Sequence, residues 1–451
     1  MKVTRFSSYQ GRLSFEKDGS NRQEYLDSFL GSELGLIYQA IPWDALVHSL
    51  QLRDHSKGPR SIFSPRGKLG LMFLKHYAGV SDKRLIEQLN SNIDYQIFCD
   101  VVIRPSARLR NYKIVSEIRC EIAKKLTIAG LQKVLSDSWR CWIEHKDSIT
   151  CDATCYESYL RYPTDVKLLY EAVSWNYQYL QSITRQRSTR MIRTKYRKWM
   201  KRYKSYCKNR RPSKKLTRST MRGFLRLLDK INKTLEAVER EQIYDLPNSY
   251  WSRRIATQQL LKQQSDKFYK GIKPTNRIVS LDKPYIRPIV RGKEIKKVEF
   301  GAKVHKLQID GISFIEHLSF DAFNEATRLK NTVYTAQQLM QTKVKVLGAD
   351  AIYATNKNRN YVSKHKISTD FKRKGRRSVH HDHYQILIHA ITKERATRLE
   401  GSFGTDKEHF LLNRIKARTE QTERLWIFFG IHTSNALKIG RRIAHQQTKA
   451  A

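Results

Sequence analysis

The first third of the chain carries apolar residues at helical spacing, from residue 22 to residue 135. In "SPRGKLGLMFLKHYAG" the apolar positions on one helical face are Leu69, Met72, Phe73 and Tyr77. This helix is predicted to end at Gly79, and a second helix in "SDKRLIEQLNSN" is predicted to begin after Ser81, a residue type that caps helices. Helix, glycine turn and helix outline a helix-turn-helix, although any small helical bundle has the same outline. DNA binding and plain packing or dimerisation therefore both stay open for this segment.

The pattern changes to that of β-strands at "DSITCDATCYESY", residues 147–159, where Ile149 and Cys151 alternate with polar residues. Strand-like stretches return near residue 277 in "RIVSLDKPYIRPIVRG", "KKVEFGAKVHKLQID" and "GISFIEHLSF", which predict consecutive antiparallel strands. A helix in "DAFNEATRLKNTVYTAQQLMQ", a short buried strand in "KVKVLGAD" and a mostly helical stretch from about 385 to 447 follow. This order predicts an α/β core.

A basic segment separates the first strand from the later ones. Residues 172–228 contain no Asp or Glu, and residues 181–220 contain sixteen Lys and Arg. Aromatic residues are interleaved at near-helical spacing: Tyr196, Trp199, Tyr203 and Tyr206. One interpretation is a solvated basic helix whose aromatic side chains face a core. Contact with nucleic acid is favoured, because uncompensated positive charges repel one another and a phosphate backbone relieves that repulsion. The candidate DNA contacts here are Arg197, Lys198, Lys201 and Arg202.

The charge balance of the whole chain points the same way. The 451 residues include 86 Lys and Arg against 42 Asp and Glu, a formal net charge of +44. Such a field favours a polyanionic partner, and no basic amphipathic helix suited to an anionic membrane surface is evident. The six cysteines form no disulfide framework or zinc motif, the N-terminus is not a signal peptide, and no apolar run is long enough to span a bilayer. We expect a cytoplasmic, nucleoid-associated protein that does not bind membranes.

Acidic residues at strand ends are the candidate chemistry. Asp152 lies near the end of the first strand, and Asp350 ends the strand in "VLGAD". A third carboxylate, Glu400, shares one predicted helical stripe with Lys407 and Arg414, at i, i+7 and i+14. Hard oxygen ligands select Mg²⁺ or Mn²⁺, and two such ions can drive an in-line phosphodiester displacement. On spacing alone, a surface helix with mixed charges is the favoured interpretation of this stripe.

Other residues compete for these roles. Four further acids lie near predicted strands: Asp165, Asp282, Asp310 and Glu316. The histidines that invite a metal-binding interpretation are His305, His432 and the cluster His380, His381 and His383. The cluster falls in a basic, DNA-facing loop, and His432 with Asn435 is expected to be a hydrogen-bonded structural group.

Several stretches together resemble the DDE transposases of bacterial insertion sequences. They are "CDATCYESYLRYPTDVKLL", "VEFGAKVHKLQIDG", "LGADAIYATNKNR", "RATRLEGSFGTDKEHF" and "IFFGIHTSNALKI". The likeness is greatest to the group around insertion sequence five and its eleven-eighty-two relatives, and the N-terminal helices are similar to that group's DNA-binding domain. The family places an Arg four residues before the Glu, where this chain has Ala396. Arg395 and Arg398 flank that position, so either is a candidate contact to the DNA end.

The resemblance implies an RNase H-like mixed sheet flanked by helices, preceded by an all-α, helix-turn-helix-like domain and interrupted by a basic, mainly helical insertion. The expected boundaries are 1–140 for the N-terminal domain, 141–171 and 276–447 for the catalytic domain, and 172–275 for the insertion. Asp152, Asp350 and Glu400 are then the catalytic metal ligands, with Arg395, Arg398, Lys407 and Arg414 on DNA.

The implied reaction is metal-dependent cleavage at the ends of the element, followed by strand transfer to target DNA, with Mg²⁺ as the cofactor and Mn²⁺ able to substitute. Its implied partners are duplex DNA with terminal inverted repeats and target DNA, bound by a homodimer or higher oligomer. Three alternatives stay open: a non-catalytic nucleic-acid-binding protein, a nuclease of the same fold that cuts without joining, and an inactive copy.

Overall fold

The structure is a computed structural model that describes residues 5–6, 22–54, 61–240, 246–290, 298–372 and 381–450. Two compact units divide the chain. The first comprises Met1–Ser158, Ala302–Ser319 and Phe323–Ala451, and the second comprises Tyr159–Gly301 and Phe320–Ala322.

The secondary structure of the described residues is mixed α/β, as predicted. In chain order, helices α1–α17 are Arg22–Leu30, Glu33–Ala40, Trp43–Ser49, Pro65–Ala78, Asp82–Leu89, Ile93–Phe98, Lys113–Lys125, Ile128–Trp139, Asp165–Gln186, Tyr196–Lys208, Lys214–Arg240, Asn248–Ser265, Leu329–Met340, Asn356–Lys364, His381–Glu394, Glu400–His409 and Glu420–Ala450. Strands β1–β7 are Ser148–Ser158, Pro288–Val290, Val298–Ile309, Ile312–Ser319, Val346–Ala349, Ser368–Thr369 and Arg414–Ile415.

A mixed sheet forms the centre of the first unit, with strand order β4-β3-β1-β5-β6. Strands β3 and β4 are an antiparallel hairpin that turns at Asp310 and Gly311, both with positive φ. Strand β5 is parallel to both β1 and β6, and β7 pairs with the last residues of β1. Helix α13 joins the hairpin to β5, and α14 joins β5 to β6. The predicted mixed sheet flanked by helices is therefore confirmed.

The N-terminal helices belong to the same unit as the sheet. Helix α17 packs against α2, α4 and α7, and it also contacts β4. The predicted ends of the two short helices are confirmed, since Gly79 adopts a left-handed φ of 65° after α4 and the Ser81 side chain accepts a hydrogen bond from the Arg84 amide. The helix–glycine turn–helix outline is present, whereas DNA binding by it, and independent folding of residues 1–140, stay predictions.

The second unit contains α9–α12, so the insertion is mainly helical, as predicted. Its core is built from the apolar faces of α9 and α11, with α12 packed against both. The interleaved aromatic residues of α10 pack against this core, and two of them stack on tyrosines of α9: Tyr196 on Tyr177 and Tyr203 on Tyr170. The aromatic side chains thus serve packing, which is the simpler of the two interpretations drawn from the sequence.

One detail of the strand predictions is wrong. Of the described residues 277–290, only Pro288–Val290 form a strand, which pairs with the first residues of β3. Most residues of β1 are buried, including the polar Thr150 between Ile149 and Cys151.

Gly348 offers a test of how tightly a helix packs on the sheet. A Cβ at this position of β5 would lie 2.6 Å from Ile391 Cγ2 of α15. We expect Gly348→Ala to lower the free energy of unfolding by about 1–3 kcal/mol, because the helix has to shift. Urea denaturation measures this change.

The matched control is Gly404→Ala in α16, where nothing lies within 4 Å of an added Cβ. This variant should be neutral or stabilising by up to about 1 kcal/mol, because alanine is the better helix former. Equal effects of the two substitutions would contradict the close packing of α15 on β5.

Candidate active site

Asp152 and Asp350 are brought side by side by the pairing of their strands. Cys151 of β1 is opposite Ala349 of β5 in the parallel register; Asp152 is the next residue of β1, and Asp350 follows the last residue of β5. The prediction that Asp152 lies near the end of its strand is wrong, because β1 continues to Ser158. Neighbouring strands are about 4.8 Å apart, so the two carboxylates leave the sheet as neighbours at one edge. Asp350 also begins a 3₁₀ turn over Ala351–Tyr353 and accepts a hydrogen bond from the Ala351 amide.

Arg395 lies among the carboxylates of this edge. Its Nη1 is 3.7 Å from Asp350 Oδ1 and 4.0 Å from Glu400 Oε1. The side chain of Arg395 is 17% exposed, whereas those of Asp350 and Glu400 are each 55% exposed. Asp350 and Glu400 therefore meet at one guanidinium, which also opposes the rise in the pKa of Asp152.

A π-helical turn, Arg395–Leu399, connects α15 to α16 and directs these side chains. The Glu400 amide donates to the Arg395 carbonyl across this wider turn. Such turns add a residue to a helix and re-aim the side chains around them. Periodicity of 3.6 residues cannot reveal the turn, so the sequence did not distinguish Arg395 from Arg398.

Two further acids border the site, and the sequence analysis missed both. Asp370 follows β6 just as Asp350 follows the neighbouring parallel strand β5, and its Oδ2 is 3.7 Å from Arg395 Nε. Glu325 pairs with Lys303 of β3 at 2.7 Å. Asp370 could have been recognised as an acid directly after the short run "KIST". We assigned this run to a basic loop instead.

Burial raises the pKa of the Asp152 carboxyl from 3.8 to about 6. The Ala153 amide, which donates to Asp152 Oδ1 at 2.8 Å, opposes this rise. The negative charges of Glu325 and Asp350 add to it, and Arg395 counteracts them. Burial also raises the pKa of Asp370. The edge of the sheet therefore holds more negative charge than its own cations neutralise.

In the first unit, the other basic side chains predicted to contact DNA are Lys407, Arg398 and Arg414, and each has a different environment. Lys407 Nζ donates to Thr154 Oγ1 of β1 at 3.2 Å, so it lies two residues along the strand from Asp152. Arg398 is paired with Asp310 and Glu394, each at 3.2 Å. The predicted helical stripe through Arg414 is wrong, because α16 ends at His409 and Arg414 lies in β7 opposite Glu157.

A buried ion pair fastens α16 to the sheet. Lys306 of β3 is fully buried, and its Nζ donates to Asp406 Oδ2 at 2.7 Å and to Ser402 Oγ at 2.9 Å. The Tyr156 hydroxyl of β1 donates to the same Asp406 oxygen at 2.6 Å. Since Ser402 and Asp406 are on the helix that begins at Glu400, this network holds the third acid against both strands.

The four competing acids have partners of their own. Asp165 is paired with Lys267 and Arg277, and Asp282 with Arg253, all within the second unit. In the first unit Asp310 is paired with Arg398 and Arg442, and Glu316 with Arg328. Each of the four acids therefore has a basic partner other than Arg395.

The histidines serve the fold where their side chains are described. His305 is buried and lies 3.1 Å from Glu316 and 2.7 Å from the hydroxyl of Tyr353, at the end of the turn that Asp350 begins. Burial lowers the pKa of His432 to about 3, and Asn435 exchanges hydrogen bonds with the backbone of Ser313, so both act as the structural groups we predicted. His380 lies outside the described residues, and only the backbone of His381 and His383, the first turn of α15, is described.

The predicted DNA contacts of the insertion lie on α10. Arg197, Lys198 and Lys201 are exposed. Arg202 donates to Ser219 Oγ at 2.8 Å and lies over the Trp199 ring.

The oxygen-rich donor set suits a hard divalent cation. As the described side chains stand, no group of three or more His, Cys, Asp or Glu residues is close enough together to hold a metal ion. The Arg395 guanidinium lies within 4.0 Å of both Asp350 and Glu400. The donors therefore fit the ion chemically, and in this structure the two carboxylates share a guanidinium.

Comparison with known proteins adds one finding. Residues 23–119, about a fifth of the chain, match the family model described as "Transposase domain (DUF772)". No curated protein and no solved structure is significantly similar to the chain. None of the described helices is both long and apolar enough to cross a membrane. The match covers α1–α6 and part of α7, and it supports a transposase family and a DNA-processing enzyme.

The raised pKa of Asp152 predicts a pH-dependent effect of Asp152→Asn in EDTA. The folded state binds the Asp152 proton more tightly than the unfolded state, so ionisation of Asp152 above pH 6 costs at most about 3 kcal/mol of stability. The variant should be more stable than the wild type at pH 8, and the difference should shrink as the pH falls from 7 to 4. Urea denaturation at several pH values measures it.

The control is Asp282→Asn, at an acid that is 72% exposed in the second unit. It should change stability by less than about 0.5 kcal/mol at any of these pH values. A variant at Asp152 that is less stable than the wild type at pH 8 would contradict the electrostatics of the site.

Breaking the buried ion pair should be costly and removing both partners should not. We expect Asp406→Asn to lower the free energy of unfolding by about 3–5 kcal/mol, because it leaves the Lys306 ammonium buried without its carboxylate. The double variant Lys306→Met/Asp406→Leu should recover most of that loss. Thermal and urea denaturation of the three proteins measure the difference.

The exposed pair Lys83–Glu87, 3.9 Å apart on α5, is the control, and Lys83→Met should cost less than about 1 kcal/mol. If Asp406→Asn is as mild as Lys83→Met, the network does not fasten α16 to the sheet.

Proposed function

We propose that this chain is a DDE transposase with an RNase H-like catalytic core, of the group around insertion sequence five and its eleven-eighty-two relatives. It would bind the ends of its insertion sequence and catalyse metal-dependent strand cleavage and strand transfer. The observation that carries the proposal is the pair Asp152 and Asp350, each one residue beyond the last paired position of the parallel strands β1 and β5, with Glu400 turned toward the same Arg395 as Asp350. The transposase-domain match in the N-terminal helices supports it independently.

Asp152, Asp350 and Glu400 would hold Mg²⁺, for which Mn²⁺ can substitute. The bound ions would activate an attacking oxygen and stabilise the leaving oxygen of an in-line phosphodiester displacement. The raised pKa of Asp152 and its acidic neighbours support this assignment, because an excess of partly buried negative charge is relieved by a cation.

The chain's own bases would orient the DNA. Arg395 is close enough to the acids to exchange a carboxylate partner for a phosphate at the cleavage point. Lys407 lies beside β1 near Asp152 and would hold a neighbouring phosphate. Arg398 is paired with Asp310 and Glu394, whereas Arg395 lies beside Asp350 and Glu400, so Arg395 is the better candidate for the arginine of the family's signature.

The partners in this proposal are duplex DNA with terminal inverted repeats and a target DNA. The net charge of +44 and the exposed bases of α10 support a polyanionic partner. Two ends must be brought together for strand transfer, so the active form would be a homodimer or higher oligomer on DNA, associated with the nucleoid. The site of dimerisation is left open.

A cleavage and strand-joining assay tests the proposal. Purified protein is incubated with labelled DNA carrying the repeats that flank its own gene, in Mg²⁺ or in EDTA. We expect cut and joined products only with Mg²⁺, and a loss of at least about a thousandfold in Asp350→Asn, because the substitution removes a metal ligand.

Asp282→Asn is the control, since it makes the same chemical change outside the site, and it should keep full activity. Cut products without joined ones would identify a nuclease of this kind rather than a transposase. DNA binding without cleavage, unchanged in Asp350→Asn, would overturn the enzymatic proposal and leave a DNA-binding protein.

A further inference from the structure

The second unit contains a cavity of about 870 Å³ whose polar lining is strongly basic. It lies where the residues just before α10 meet α11. The cations that line it are Arg193, Lys195, Arg222, Arg226 and Lys230. No acidic residue lines the cavity, and no Asp or Glu occurs between residues 172 and 228. The predicted contacts Arg197, Lys198 and Lys201 are not part of this lining.

Specific contacts build the cavity. Gly223 lets the Trp199 ring lie directly on α11, because a Cβ at residue 223 would overlap that ring. Lys230 Nζ donates to the Arg193 carbonyl at 2.9 Å, which ties the segment before α10 to the far end of the cavity. Arg202 of α10 donates to Ser219 in the second turn of α11. These contacts join α10, α11 and the segment before α10 around the cavity.

The arrangement of the bases indicates the ligand. Arg222, Arg226 and Lys230 are four residues apart on α11 and form one stripe, which spans about 12 Å at 1.5 Å per residue. A single phosphate is too small to contact the whole stripe. Phosphates in series along one strand, about 3.4 Å apart along a duplex axis, can neutralise it.

The other side chains of the lining indicate whether the cavity distinguishes one base from another. The Trp199 ring packs on Gly223 and lies under the Arg202 guanidinium, 5.0 Å from its centroid, so its faces are already in use. The lining therefore offers charge and hydroxyl groups, such as those of Thr194 and Ser219, and these bind phosphate without distinguishing bases.

We propose that this cavity is a sequence-independent binding site for the phosphodiester backbone of duplex DNA, separate from the acidic site of the first unit. The choice of DNA over another polyphosphate rests on the proposed function. The cavity contributes to the affinity for DNA through phosphate contacts, and it does not recognise the base sequence.

The test is a salt titration of binding to a labelled duplex of unrelated sequence, with the full-length protein in EDTA. The triple variant Arg222→Gln/Arg226→Gln/Lys230→Gln should bind about tenfold more weakly at 100 mM salt. The slope of log K against log salt should become shallower by about 2–3, because up to three phosphate contacts are lost. All three side chains are exposed, and circular dichroism with a melting curve verifies that the variant folds.

The control is Lys208→Gln/Arg210→Gln/Arg211→Gln, which removes the same charge from exposed positions of the same unit outside the cavity. It should change the slope by less than about 1. Equal losses in the two triple variants would show that only net charge matters and would overturn the proposal.

An RNA duplex serves as the competitor. If the cavity variant loses RNA binding and keeps DNA binding, the assignment to DNA is overturned. This assay needs no metal and no element ends, so a negative result would not contradict the proposed cleavage activity. A negative cleavage assay likewise would not contradict phosphodiester binding in the cavity.

Discussion

The parallel pairing of β1 with β5 is the constraint on which the site depends, because it places two carboxylates one strand spacing apart at a partly buried edge. Like charges at that distance repel, and the surrounding structure compensates. Arg395 lies between Asp350, Asp370 and Glu400, Lys303 pairs with Glu325, and the Ala153 amide donates to Asp152. Burial, with the charges of Glu325 and Asp350, still raises the pKa of Asp152 despite these contacts. A cluster of carboxylates at the edge of the sheet favours the binding of an additional cation. Metal-dependent phosphodiester chemistry requires a site with this property.

Rigid elements hold this unfavourable arrangement in place. The third acid begins a helix that the buried pair of Lys306 and Asp406 fastens to β3 and β1. The turn that follows Asp350 ends at Tyr353, whose hydroxyl contacts His305 in the core. Gly348 admits α15 close to β5, so the arginine of the π-turn is kept near the acids. The network of ordinary hydrogen bonds and packing thus stabilises a cluster of charges that would separate in a looser structure.

Much of this could be predicted from the sequence, and the failures have physical causes. The α/β order, the helical insertion and the position of Asp350 at a strand end followed from periodicity and from an acid placed after an apolar run. Asp152 was predicted near a strand end, whereas it lies within β1. Asp370 was missed because β6 has only two residues, too few for a pattern. That Arg395, and not Arg398, lies beside Asp350 and Glu400 depends on a π-turn that helical periodicity does not register. The Lys306–Asp406 pair joins residues 100 positions apart, and no local pattern indicates such a partnership.

In the proposed function, Asp152 and Asp350 share a divalent metal ion beside Arg395. Crystals of the protein with DNA, soaked in Mn²⁺, test this arrangement through the anomalous signal of manganese. We predict a peak within about 2.5 Å of both carboxylates, with the Arg395 guanidinium moved toward a phosphate. No peak at this edge, with DNA bound and Arg395 still between Asp350 and Glu400, would contradict it.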